Sequence, residues 1–280
     1  MNAFRLVAFA GICFMSAVLA ASPASQENTA DKELPSLSGP SSIDEHLVYT
    51  IKWDPPWYLF FLPNMEAGEI DIELFKDSEY EGKKAFKILF RANSSGTLMK
   101  MTGMKISDDF VFYTEPDTYC TYYVTKKIHE GKRKRQIDVQ YFRDTRQLHI
   151  HEVDESVDPP KVKKDETKDN IPACVHDPLS ALYLYRLSNL RDGSMQTLVI
   201  GHDDRIKEVS ARVEKQENVK IPEGEFPAWN ISIISLMGGL FKEGGKFRIW
   251  LSTDEKKIPL KFEFKVRLGK IIGILQSPKP

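Results

Sequence analysis

His149 and His151, separated by Ile150, come nearest to a reactive pair in this sequence of 280 residues. On an extended chain residues i and i+2 share a face, so the two imidazoles stand side by side and could hold a metal ion. His176-Asp177 and His202-Asp203-Asp204 could add further ligands. Against this, Leu148 and Ile150 claim the dry face of the same strand and leave both histidines on the solvent side. No dense ligand motif accompanies them, so the sequence assigns no metal site and no cofactor. A metal-assisted hydrolase at His149 and His151 stays as a second alternative. Asp108 and Asp109 resemble a pair of acids, but adjacent strand residues face opposite ways, and a turn is the better reading. Nucleophile elbow, zinc-protease helix, Walker loop and dinucleotide fingerprint are all absent from the sequence. No catalytic residue is assigned, and the expectation is a protein that is not an enzyme.

Cys120 and Cys174 are the cysteines left once the amino-terminal segment is set aside. They are either one disulfide or two unpaired buried thiols, since sequence does not tell how close their Cα atoms lie. The amino terminus itself reads as a secretory signal over residues 1–20. Arg5 is followed by the apolar run LVAFAGICFMSAVLA, short for a membrane span, and small residues Ala20, Ala21 and Ser22 offer a cleavage site. Cys13 sits too early for a lipid-attachment cysteine. Residues 21–43, rich in Ser, Pro, Ala and Glu, read as a flexible leader, and residues 44–276 as a single β domain. The expected location is the periplasm or cell envelope, with no transmembrane span after signal removal. With 39 basic and 40 acidic residues, the net charge of -1 gives no field to attract nucleic acid. The basic run Lys126, Lys127, Lys132, Arg133, Lys134 and Arg135 around Glu130-Gly131 therefore reads as a solvated hairpin tip.

Three apolar stretches lack strand alternation. Trp57, Tyr58, Leu59, Phe60, Phe61 and Leu62 lie between Pro56 and Pro63; Met99, Met101 and Met104 cluster at Gly103; Leu236, Met237, Leu240 and Phe241 surround Gly238-Gly239. Exposing a Phe or Leu forgoes roughly 1.5–3 kcal/mol each, so these residues either complete the core or line a cavity for an apolar molecule. Trp57, Phe60, Phe61, Met99, Met101, Met237 and Phe241 are the candidate ligand-binding residues.

The elements that must position them alternate with period two. Leu47, Tyr49, Ile51 and Trp53 share one face, as do Ile70, Ile72 and Leu74; Phe86, Ile88 and Phe90; Ile137, Val139 and Tyr141; Leu148 and Ile150; and Leu260, Phe262, Phe264, Val266 and Leu268. Such strands make an antiparallel sheet with one dry face. One helix is expected near residues 178–190, with Asp177 as N-cap and Pro178 as first helical residue. Its apolar stripe is Leu179, Leu182, Tyr183, Leu187 and Leu190. Residues 152–170 read as a loop. Since one short helix cannot cover about eleven strands about 4.8 Å apart, the sheet should curve into a half-barrel or open barrel.

The segments DPLSALYLYRLSNLRDG (177–193) and IWLSTDEKKIPLKFEFKVRLGKIIGIL (249–275) resemble the bacterial domain-of-unknown-function family 3108. There a D-P-L-S-x-L-Y-x-x-R helix precedes a W-L-S-x-D-x-x-x-I-P hairpin and a Gly-containing final strand. YTIKW and Ala67-Gly68 extend the resemblance over roughly residues 47–276. It implies an exported, mainly antiparallel β protein without assigned activity and supplies no catalytic residues. The apolar insertion at residues 54–66 departs from the family pattern.

Together these readings predict a non-enzymatic envelope protein binding an apolar or lipid-like molecule in the concave face of a β half-barrel. Lys132 to Arg135 would stand at its rim. The alternative, from another class, is a scaffold or assembly factor that docks an envelope protein through the loop at residues 57–62.

Overall fold

The structure, a computed structural model, describes residues 44–59, 61–103, 105–235, 247–266 and 268–276. Residues 1–43, which the sequence reads as signal and leader, and Phe60, Met104, Met237 and Phe241 lie outside the described residues. In the first half of the chain the strands are β1 (Glu45–Asp54), β2 (Met65–Tyr80), β3 (Lys83–Ser94), β4 (Ser107–Thr114), β5 (Thr121–Glu130), β6 (Arg133–Phe142), β7 (Gln147–Asp154) and β8 (Lys161–Lys168). The second half adds β9 (Met195–His202), β10 (Arg205–Ile221), β11 (Gly224–Ser235), β12 (Phe247–Ser252), β13 (Pro259–Lys265) and β14 (Lys270–Leu275). A 3-10 turn occupies Trp57–Leu59, and the two α-helices are α1 (Gly96–Thr102) and α2 (Pro178–Arg186). None of these helices is long and apolar enough to cross a membrane.

All fourteen strands form one sheet in the order β8-β7-β6-β5-β4-β3-β2-β1-β14-β13-β12-β11-β10-β9. This corrects the expected half-barrel or open barrel of about eleven strands with one helix. The ladder runs open from β8 to β9 and does not close into a barrel. Part of the difference has a physical reason. β8 (KVKKDETK) is largely exposed on both faces, so it carries no apolar alternation and its sequence reads as a loop. Most apolar burial is gathered in one large cluster drawn from both halves of the chain, with two small clusters beside it. One of them is made by side chains covering each other: Tyr80 stacks on Tyr123 at 5.3 Å and on Tyr122 at 6.3 Å, above Ala85 and Tyr113.

Where the alternation is clean, the core follows it. Leu47, Tyr49, Ile51 and Trp53 are all buried, as are Ile88, Val139, Leu148 and Ile150. Trp250 is buried too: Lys261 lies over its ring at 4.3 Å, and its indole N–H donates to Glu217 at 2.6 Å. Lys126, read as part of a solvated tip, is 2% exposed. It shares the inner face with Val124 and Ile128, and its ammonium reaches Asp203 at 2.6 Å in the β9–β10 turn. On β8, Lys164 and Lys168 hold Asp204 at 2.6 and 2.7 Å. Ion pairs, and no ladder, thus connect the β9–β10 turn to β5 and β8.

The helix is shorter than its leucine spacing predicts. It ends at Arg186, and Leu187 is 69% exposed. Asp177 caps it, accepting from the backbone N–H of Leu179 and Ser180 at 2.8 and 2.9 Å. Tyr183 and Arg186 both grip Glu45 on β1, and Arg186 also donates to the Lys256 carbonyl. In the β12–β13 connection Ser252 donates to Asp254 and accepts from Ile258 N–H, both at 2.7 Å. The motifs that carried the resemblance therefore hold elements together.

Candidate metal centre

Cys120 lies just before β5, while Cys174 and His176 lie in the extended segment that leads into α2. That segment is stitched between β5 and β9. Thr121 N–H donates to the Val175 carbonyl at 2.8 Å, His176 N–H to Val199 at 2.9 Å, and Gly201 N–H to His176 at 2.8 Å. Thr121 and Asp177 close a reciprocal clamp: Asp177 N–H donates to the Thr121 hydroxyl at 2.7 Å, which donates to the Asp177 carboxylate at 3.1 Å. Burial pushes the Asp177 carboxyl up. On the other side, Arg143 ties Glu115 to the Ala173 carbonyl.

This framework brings one sulfur from each cysteine and a ring nitrogen of His176 within 4.8 Å of one another. Cys120 and Cys174 form a disulfide with Cα atoms 5.2 Å apart. Cys120 and His176 are buried and Cys174 is half-buried. The histidine's orientation is fixed. Its Nδ1 lies 2.9 Å from the Tyr119 carbonyl oxygen, which can only accept, so Nδ1 carries the proton. Nε2 then presents its lone pair to Cys174 Sγ at 3.5 Å. A ligating histidine anchored by a backbone carbonyl on its other nitrogen is the usual support of a metal site. While the disulfide is closed the sulfurs are not thiolates and bind no ion. Once reduced, two thiolates and one imidazole make a ligand set suited to zinc and other soft or borderline ions.

The sequence reading placed His176 as an accessory to His149 and His151 and left the cysteines apart. Cys174-Val175-His176 carried the signal: in an extended segment an i, i+2 pair puts sulfur and imidazole on one side. His149 and His151 stand on β7 and pair instead with Asp165 on β8, at 3.2 and 3.6 Å. His202 and Asp203 belong to the Lys126 cluster. There burial holds the His202 imidazole down, aided by the Lys126 charge, whereas Lys126 and His202 hold the Asp203 carboxyl well below its usual range despite burial. Asp108 and Asp109 sit in β4, not in a turn; burial pushes Asp108 up to about 7, although it accepts His129 N–H at 2.9 Å.

Four of the seven candidate ligand-binding residues are among the described residues. Trp57 is 86%, Phe61 67% and Met101 53% exposed, and Met99 is half-buried. Phe60, Met237 and Phe241 lie outside the described residues. The interior gap bounded by Phe112, Val124, Val139 and Tyr141 is also walled by Lys126, Asp177 and Asp203, and holds about 190 Å³ with its solvent-open part included. Ligand pockets occupy roughly 300–1,000 Å³ and are mostly apolar. The expectation of a passive apolar-ligand carrier is corrected by the cluster of Cys120, Cys174 and His176. So is the expectation that the protein is not an enzyme, because the Cys120, Cys174 and His176 donors favour a metal-binding or catalytic role.

No curated protein matches the chain. Among solved structures, the chain is similar to the "Crystal Structure of Beta-barrel-like Protein of Domain of Unknown Function DUF1849 from Brucella abortus". The TM-score is 0.57 at 11% identity, covering 85% of this chain and 97% of that one, a likeness of fold alone. A family model described as "Protein of unknown function (DUF3108)" matches residues 48–276, and the chain belongs to that family.

Proposed function

We propose that this protein is exported to the cell envelope and binds a soft or borderline divalent metal ion, with zinc as the reference case, through Cys120, Cys174 and His176 when their disulfide is reduced. The observation that carries this reading is the anchored imidazole, with Nδ1 held by Tyr119 O and Nε2 aimed at Cys174. The chemistry balances simply. A dithiol donor gives the disulfide two electrons and two protons, which yields two thiols; metal capture then releases both thiol protons. Three protein ligands leave a fourth position for water or substrate, the arrangement of catalytic zinc sites, so metal-assisted hydrolysis is the activity class to assay. Export rests on Arg5, the apolar run at residues 6–20 and the small residues after it. A closed disulfide suits an oxidising compartment.

The test is metal content after desalting, with the untagged chain prepared oxidised or reduced under anaerobic conditions and supplied with Zn²⁺. One tightly held ion per reduced chain is expected, with retention lost on oxidation. His176→Ala should weaken binding by roughly 10–100-fold or more. Equal retention in the oxidised and reduced forms at this site would refute the reading.

A second reading is supported by the exposure of Trp57 and Phe61: residues 57–62 dock an envelope protein. Photocrosslinking from position 57 in cells should give one discrete protein adduct; recovery of the uncrosslinked chain alone would count against it.

A further inference from the structure

We infer that the outward face of β7–β8 carries a second, thiol-independent cation site made by His149, His151 and Asp165, suited to a borderline divalent ion such as Cu²⁺, Ni²⁺ or Zn²⁺. β7 is held rigidly from behind, because Leu148 and Ile150 are 0% and 1% exposed on the opposite face. Both imidazoles must then project outward together. The β7–β8 register sets His151 opposite Asp165 and His149 opposite Thr167, which leaves Asp165 diagonal to His149. One carboxylate thereby serves both rings: Oδ1 lies 3.2 Å from His149 Nε2 and Oδ2 lies 3.6 Å from His151 Nδ1. The two contacts use different carboxylate oxygens, and the three residues do not present one donor each within 4.8 Å of one another, so an ion is held only after the side chains turn.

A neighbour supports the site. The other nitrogen of His149 is 3.1 Å from the Thr167 hydroxyl, which orients the ring so that Nε2 faces Asp165. On the other flank β6 sets Asp138 opposite His151, with its carboxylate accepting from Tyr123 and Gln136. Lys163, two residues from Asp165, is engaged by Asp154 at 3.2 Å. As it stands, the carboxylate bridges the rings with one oxygen to each. All three side chains are more than a third exposed, so rotation about their χ angles can close them on an ion and leave its remaining positions to water. The nitrogen and oxygen donors select borderline transition ions over Mg²⁺ or Ca²⁺.

The experiment uses the untagged, fully oxidised chain, in which the disulfide silences Cys120 and Cys174, titrated with Cu²⁺ and followed by electron paramagnetic resonance. One equivalent with hyperfine coupling from two imidazole nitrogens is expected. The His149→Ala, His151→Ala double variant should lose that signal, and Asp165→Asn should weaken binding at least about tenfold. The Cys120→Ser, Cys174→Ser variant should keep it, so this site and the thiol centre stand or fall separately. An oxidised wild type that binds Cu²⁺ no more tightly than the double-histidine variant would overturn the site.

Discussion

Asp203 and Asp108 are carboxylates whose neighbours push them in opposite directions. The folded state holds Asp203 well below an ordinary aspartate, because the charges of Lys126 and His202 overcome the effect of burial. It therefore stabilises the fold above the unfolded value of about 4 and stops doing so as pH falls through its folded value. Asp108 is raised by burial to about 7, so the folded state takes up its proton more readily than the unfolded chain. Its contribution is present below about pH 4 and is lost as pH rises through about 7. Thermal melts across pH should separate the two. Asp108→Asn should raise Tm near pH 8. Asp203→Asn should lower Tm, at a cost of about 3–5 kcal/mol of stability, by leaving the Lys126 charge without its partner, and should flatten the acid limb. Lys126 was misread because its charge outweighed its place in the alternation; Val124, Lys126 and Ile128 share one face, and only Asp203, distant in sequence, explains a buried ammonium there.

At the scale of elements, α2 is fixed by its polar ends more than by its leucines. Arg186 makes paired hydrogen bonds to Glu45 at 2.8 Å and donates to the Lys256 carbonyl. Arg186→Ala leaves Glu45 and that carbonyl without these donors. It should cost up to about 3–5 kcal/mol in denaturant unfolding, and Arg186→Lys should recover only part of it because lysine lacks the planar fork. On β14, a Cβ at Gly273 would meet the Phe262 ring at 2.1 Å. Gly273→Ala should cost about 1–3 kcal/mol, with rescue by Phe262→Leu. Much at this scale was legible. Tyr49, Ile51 and Trp53 announced β1, and Asp177-Pro178 announced the start of α2, because a one-sided sheet and a capped helix leave local patterns. The end of α2 was not, since Leu187 and Leu190 continue the helical spacing past Arg186 although the chain has already turned. β8 was silent because neither of its faces packs.

For the whole molecule, sequence reasoning assumed that apolar surface beyond the reach of one helix must close into a hollow. The chain packs most of that surface into one large cluster with two small ones beside it, and ties the β9–β10 turn at one end of the open sheet to β5 and β8 through Lys126, Lys164 and Lys168. Contacts between charged residues far apart in sequence leave no periodicity, and the meeting of Cys120 with Cys174 and His176 is of the same kind. The disulfide closes a separation of 54 residues, so reduction should cost about 2–5 kcal/mol. If the reduced cluster binds zinc, the ion must return stability: at a free concentration of about 100 Kd the gain is about 2.7 kcal/mol. Tm should therefore fall on reduction and rise again with Zn²⁺, and His176→Ala should remove the second effect while sparing the first.

The most direct test of the thiol centre is X-ray absorption spectroscopy at the zinc edge of the reduced, zinc-loaded His149→Ala, His151→Ala chain. Two sulfur scatterers at about 2.3 Å and one imidazole nitrogen at about 2.0–2.1 Å are expected, with the imidazole contribution lost in the His176→Ala variant. A first shell of nitrogen and oxygen alone would contradict the account.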